Sequence, residues 1–196
     1  MSPATSAWRH VGNGAALLAI LSVAAVVLHT TPDSELQQSP IAVPATLAEP
    51  ATGRNIRATV HSVAVTESVT AGNGWAGTTP GVWVVVELSV EAVVDDQATL
   101  GTAVLRVGDT SFSASTRPGD ATVVDRGLAT GIPRTGPLMF ELPANIAGGT
   151  AAADATLELA VNSDPRVDSL LVLPVDLAGL DVTTSIDVEY PEWGAR

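Results

Sequence analysis

From Val11 to Leu28 the chain carries no charged residue, and between Ala15 and Leu28 only Ser22 interrupts the apolar run. A backbone in hydrocarbon must satisfy its own N–H and C=O groups, which restricts such a stretch to a helix. At 1.5 Å per residue, a helix over 11–28 reaches roughly 27 Å, close to the ~30 Å hydrocarbon thickness of a bilayer. The run therefore predicts a membrane-spanning segment. A cleaved signal peptide is the competing reading, with an apolar stretch of about 7 to 15 residues ending at a small-x-small site. Here Ser22-Val23-Ala24 and Val23-Ala24-Ala25 lie inside the run rather than after it, so an uncleaved signal anchor is expected. Cysteine is absent, which excludes a lipid-modified cysteine anchor, disulfides and thiolate chemistry.

Arg9, between Trp8 and His10, stands before the run, and Asp33 and Glu35 follow it. Positive charge is retained on the cytoplasmic side, so residues 1–10 are expected inside and the rest of the chain outside. Residues 29–54 hold Pro32, Pro40, Pro44 and Pro50 among serine, threonine, glutamine and alanine, without periodicity. They read as a proline-rich stalk, extending at about 3.1 Å per residue.

Beyond residue 55 the pattern has a period of two. Val82, Val84, Val86, Leu88, Val90 and Ala92 alternate with Trp83, Val85, Glu87, Ser89 and Glu91, which predicts a long strand with one buried face. The alternation recurs at Leu138–Leu142, Leu157–Val161, Leu171–Leu177 and Val182–Tyr190. Weaker candidates are Ile56–Thr66, with a shift of face near Ser62, then Ala103–Val107, Thr110–Ser115 and Thr122–Val124. Gly108-Asp109 marks a tight hairpin. No helical stripe appears outside the apolar run. Short strands separated by turn residues predict an all-β sandwich over 55–190, with 191–196 as a tail. Aromatic residues make up only 4% of the chain against 46% hydrophobic residues, so the core must be aliphatic.

The strand Gly81-Val82-Trp83-Val84-Val85-Val86-Glu87-Leu88-Ser89-Val90, after a glycine-rich turn and before Asp95-Asp96, resembles the bacterial immunoglobulin-like domains of unknown function typified by the secreted mycobacterial antigen group. The resemblance implies an immunoglobulin-like β-sandwich, exported or membrane-anchored, as in actinobacterial proteins of that kind. It implies no enzymatic role and carries no site residues.

Catalytic patterns are missing from the sequence. His10 and His29 flank the apolar run, leaving His61 alone in the expected domain, so no two-histidine metal centre can form there. Ser62, next to His61, would point to the opposite face of a regular strand, and there is no Gly-x-Ser-x-Gly elbow. The glycine-rich segment Gly72–Gly77 lacks the Gly-Lys-Ser/Thr ending of a phosphate loop. Asp95-Asp96, or Asp164 with Asp168, offers oxygen ligands for calcium, but neither has an EF-hand spacing, and solvated turn acids are the plainer reading. All nine basic residues are arginine against 21 acids, and the net charge of −12 argues against a nucleic-acid partner.

No catalytic, cofactor or metal residue is therefore expected. Two residues stand as interface candidates. Trp75 sits in a glycine-rich loop, either exposed as an interface anchor or folded back as a lid over the sandwich end, and Arg134 lies at the expected tip of the segment Thr130–Pro143, a loop leading into the strand at Leu138. The sequence thus points to a single-pass, membrane-anchored extracytoplasmic interaction or accessory module, attached through residues 11–28 and partnering another envelope or membrane protein. A structural, antigen-like cell-surface protein and a domain secreted after signal cleavage are the alternatives.

Overall fold

The computed structural model describes residues 4–31 and 38–194, which divide between two units that meet at residues 39 and 40. In the first, helix α1 (Ala4–Thr30) contains a stretch, Gly12–Thr30, long and apolar enough to cross a bilayer. Its described side chains are exposed throughout, unlike those of a soluble core helix. The polar residues within it bond back to the helix. Ser22 Oγ donates to Leu18 O at 2.8 Å, and Thr30 Oγ1 donates to Val26 O at 2.9 Å, so neither hydroxyl requires water. The side chains of Trp8 and Arg9, and all of residues 32–37 with Asp33 and Glu35, lie outside the described residues.

The second unit is the expected β-sandwich. One sheet runs β1 (Ile41–Pro44), β9 (Ser169–Val175), β8 (Ala155–Ala160), β5 (Thr102–Val107) and β6 (Thr110–Ser113). The other runs β10 (Val182–Val188), β3 (Arg57–Ala71), β4 (Ala76–Glu91), β7 (Arg134–Leu142) and β11 (Glu192–Trp193), with β2 (Ala51–Thr52) beside β3. Pairing is antiparallel except at two edges, where β1 joins β9 and β10 joins β3 in parallel. The hairpin at Gly108-Asp109 forms as its residues demand, with Gly108 at φ +58 and Val107 opposite Thr110.

Between the sheets lies the aliphatic core, built from Val84, Val86, Leu88 and Val90 of β4, Leu138 and Phe140 of β7, and Leu105, Leu157 and Leu171 of the facing sheet. Alternation places these side chains correctly. It fails for the other face of β4, since Trp83 is fully buried and Val85 nearly so. A second cluster covers that outer face, with Trp83, Val85, Val69, Met139 and Val188 under Ala121 and the half-buried Trp75. β4 is therefore buried on both faces over this stretch.

The stalk boundary expected at residue 54 moves to about residue 40. Ile41–Pro44 pairs with Ser169–Val172, and Ala51–Thr52 pairs with Arg57–Ala58. A proline at each end of a short edge strand does not prevent pairing, because only one side of such a strand forms ladder bonds. Thr122–Val124 is also not a strand. Gly119 (φ +64) and Asp125 (φ 55) turn the chain on either side of it, while Val123 N and Thr122 Oγ1 both donate to Pro137 O. The segment is buried, which accounts for its strand-like composition.

Candidate functional face

Polar chemistry concentrates on the outer side of the β3–β4–β7 sheet. The pairing of β3 with β4 slips between Val60 and Ser62, leaving His61 as the extra residue of a β-bulge. That is the shift of face anticipated near Ser62, and it re-aims the imidazole. His61 Nε2 lies 2.7 Å from Ser89 Oγ, Ser89 Oγ lies 2.6 Å from Thr135 Oγ1, and Thr135 Oγ1 donates to Gly194 O at 2.8 Å. Ser62, adjacent in sequence, is not the residue that His61 meets. Ser89 is 28 residues away, and only the strand register brings the two together.

A histidine touching a buried serine invites a nucleophilic reading, and counting protons decides it. The Gly194 carbonyl can only accept, so the single Thr135 hydroxyl proton is committed to it. Thr135 Oγ1 must then accept from Ser89, and Ser89 must accept from His61, whose Nε2 therefore carries a proton. An imidazole that activates serine does the reverse, accepting the hydroxyl proton on an unprotonated nitrogen. The row His61–Ser89–Thr135–Gly194 is a structural chain tying β3, β4, β7 and the C-terminal turn together. A fluorophosphonate probe is expected to leave Ser89 unlabelled, as read by peptide mass mapping, and labelling would overturn this proton order. Beside the chain, Arg57 Nη1 meets Glu91 Oε1 at 2.7 Å across the lip of a cavity of about 150 Å³.

Farther along the same face, Trp75 lies back on the sheet. Its ring meets Trp83 edge-to-face, with centroids 5.5 Å apart and planes at 88°. A β-carbon at Gly77 would collide with the Trp75 ring, so the glycine is what allows the indole to lie flat. Asn73 fixes the loop, accepting from Trp75 N at 2.9 Å and donating to Pro118 O and Asp120 Oδ1 at 2.9 and 3.1 Å. Arg117 covers Trp83 from another side, 5.5 Å from the ring centroid, while pairing with Glu141 at 2.8 Å. Trp75 is thus half-buried over the sheet rather than over the sandwich end.

Asp120, held by Asn73 and then by Tyr190, has its carboxyl kept below the usual carboxylate range. The Tyr190 hydroxyl is pushed above the ordinary tyrosine value by partial burial and then by its bond to Asp120. The signs follow from which form folding favours. Charged Asp120 adds stability above the unfolded carboxylate pKa and loses it as pH falls through the lower folded value. Neutral Tyr190 adds stability below the unfolded tyrosine pKa and loses it as pH rises through the higher folded value. Asn73→Ala is expected to raise the Asp120 pKa toward the ordinary range in a carboxyl-carbon NMR titration.

Arg134 is not at a loop tip. It opens β7 opposite Val90, and its guanidinium carbon lies 4.1 Å from the centroid of its cross-strand partner Trp193. Its Nε is buried without a hydrogen-bond partner among the described residues, and burial followed by the charge of Arg126 lowers its pKa. Trp193 reaches Arg134 only through the pairing of β11 with β7.

The acids considered for calcium are partly brought together. Asp95 and Asp168 line one cavity of about 380 Å³ with Arg54 and Asn162, whereas Asp164 is paired with its neighbour Arg166. Asp168 accepts from Asn162 Nδ2 and Ser169 N, and Asp95 Oδ1 accepts from Gln97 N, as turn-forming carboxylates do. Among the described residues no group of three or more His, Asp or Glu side chains gathers at metal-binding separation.

Three solved structures are similar in fold. An uncharacterised β-sandwich protein from Clostridium difficile is 9% identical, with a TM-score of 0.49 over 74% of this chain and 99% of that one. The yjhA protein of Bacillus subtilis is 18% identical, with a TM-score of 0.45 over 65% of this chain and 98% of that one. A candidate lipoprotein from Staphylococcus aureus is 9% identical, with a TM-score of 0.47 over 74% of this chain and 97% of that one. No protein-family model and no curated protein matches the chain.

Proposed function

We propose that the protein is a membrane-anchored extracytoplasmic interaction module, a sandwich that acts through its surface while α1 holds it at the bilayer. The observation that carries this reading is the exposed apolar stretch Gly12–Thr30, a unit separate from the sandwich. At 1.5 Å per residue it reaches about 28 Å. Arg9 before it and Asp33 and Glu35 after it favour an inside N-terminus. The lack of a small-x-small site directly after the apolar run, over residues 29–36, favours an uncleaved anchor. The proton order at His61 and Ser89 supports a binding role over hydrolysis. On the strand Gly81–Val90 we group the module with the exported actinobacterial sandwiches, and we take Trp193 over Arg134, with Trp193 50% exposed, as the accessible part of its candidate interface.

Alkaline phosphatase fused after Arg196 is expected to be active in a bacterial host, and green fluorescent protein at the same position dark. The opposite pair of results would reverse the orientation. A mature protein beginning at residue 25 or 26 by mass spectrometry would replace the anchor with a cleaved signal.

A further inference from the structure

The sandwich has four sheet edges, and three are short or guarded. β1 has Pro40 before it and Pro44 at its end, β6 has four residues and β11 two. The fourth, β10, has seven residues, Val-Thr-Thr-Ser-Ile-Asp-Val, with neither proline nor a basic residue. Its alternation predicts one buried face, yet Val182, Thr183, Thr184 and Ser185 are all exposed, so both faces of this half are uncovered. Among the described residues no backbone hydrogen bond joins β10 to any strand but β3. Proteins usually protect such an edge with lysine, proline, a bulge or a covering loop. β10 is rich in β-branched residues and, among the described residues, has none of these on its open side.

Charge indicates what would fit there. β10 carries Asp187 and is flanked in the chain by Asp181 before it and Glu189 after it, with no basic residue between them. Exposed Glu67, in the second bulge of β3, adds a carboxylate opposite Thr184. A second copy would bring the same acids against these, which disfavours self-pairing. We infer that β10 is a docking edge for an extended, basic segment of a partner protein, added as a further strand to the β10–β3–β4–β7–β11 sheet. Main-chain bonds supply the pairing, as in other strand-addition complexes, and lysine or arginine at alternate positions complements the acids. A seven-residue match spans about 23 Å. The inference rests on the interaction-module reading and names the partner chemistry.

The test uses the full chain in a zwitterionic detergent and three heptapeptides. In the first, valine alternates with lysine and arginine. In the second, every base is replaced by glutamate. The third keeps the basic charge but has proline at its central valine. By fluorescence anisotropy at low salt, the first is expected to bind at least tenfold more tightly than either other. Hydrogen exchange should show its protection concentrated at 182–188. The double variant Val182→Lys/Ser185→Lys, at two exposed side chains, should lose at least tenfold in affinity with an unchanged thermal midpoint. Equal binding of the proline peptide would reduce the effect to charge and overturn strand addition, as would protection elsewhere. Slow exchange without peptide at the amides of 182–188 that point away from β3 would show the edge already occupied and also overturn it. None of these failures alters the reporter-fusion result, so the module reading stands or falls separately.

Discussion

In a fragment beginning at residue 38, Trp83→Ala is expected to cost about 3–5 kcal/mol, the largest effect of any single side chain here. Trp83 is fully buried on the outer face of β4, where Val85, Met139 and Trp75 enclose it and Arg117 lies over it. Removing the indole leaves a void in a sheet already pinned by β3 and β7, so collapse is limited. Its Nε1 has no hydrogen-bond partner among the described residues. Trp83→Phe removes that unpaired donor along with one ring, and its cost is expected to be far smaller. Domain stabilities are commonly about 5–15 kcal/mol, so the alanine variant should sit near its unfolding threshold while the phenylalanine variant stays folded. Urea midpoints at unchanged slope measure both. A Trp75/Trp83 double-mutant cycle should add about 0.5–1.5 kcal/mol of coupling for the edge-to-face pair.

The second large effect separates two boundaries of the domain. A fragment from residue 38 is expected to be soluble and cooperatively folded, and one from residue 55 to be unstable or aggregated. The shorter fragment loses β1, with Ile41 N to Asp168 O at 2.8 Å and Ala45 N to Val172 O at 2.9 Å. It also loses β2 and the bond from Ala48 N to Val60 O at 2.7 Å. At roughly 0.5–1.5 kcal/mol net per hydrogen bond, the backbone losses alone reach several kcal/mol. Core contacts of Val43, Ala45 and Ala51 go with them. The deletion also bares β9, Ser-Leu-Leu-Val-Leu-Pro-Val, as an apolar edge prone to aggregation. Gel filtration and circular dichroism of the two fragments read the difference directly.

These two effects fall where local pattern and tertiary packing disagree. Alternation in β4 located the inner-face residues, because a period of two survives wherever one face meets a core. It assigned Trp83 to solvent, because nothing within β4 shows that the β3–β4 loop folds back across it. The bulge at His61 was legible as a shift of face, while its contact with Ser89 depends on the register between β3 and β4. Residues 41–54 read as spacer because edge strands this short carry too few residues to show alternation. Trp75 was legible as a loop tryptophan, but the space under it is made by Gly77, which looks like any turn glycine. Arg134 and Trp193 are 59 positions apart, and only the pairing of β11 with β7 makes them neighbours.

On the proposed topology an uncleaved helix stays in the membrane with the whole sandwich outside it. Protease added to spheroplasts of an expressing bacterial host, followed by mass analysis of the membrane fraction and the released fragments, tests it in one measurement. First cleavage is expected between residues 31 and 40, leaving a membrane-retained peptide containing 4–30 and a released, folded sandwich beginning near residue 40. Full protection of the sandwich until the membrane is dissolved, or recovery of the sandwich in the medium before protease is added, would contradict it.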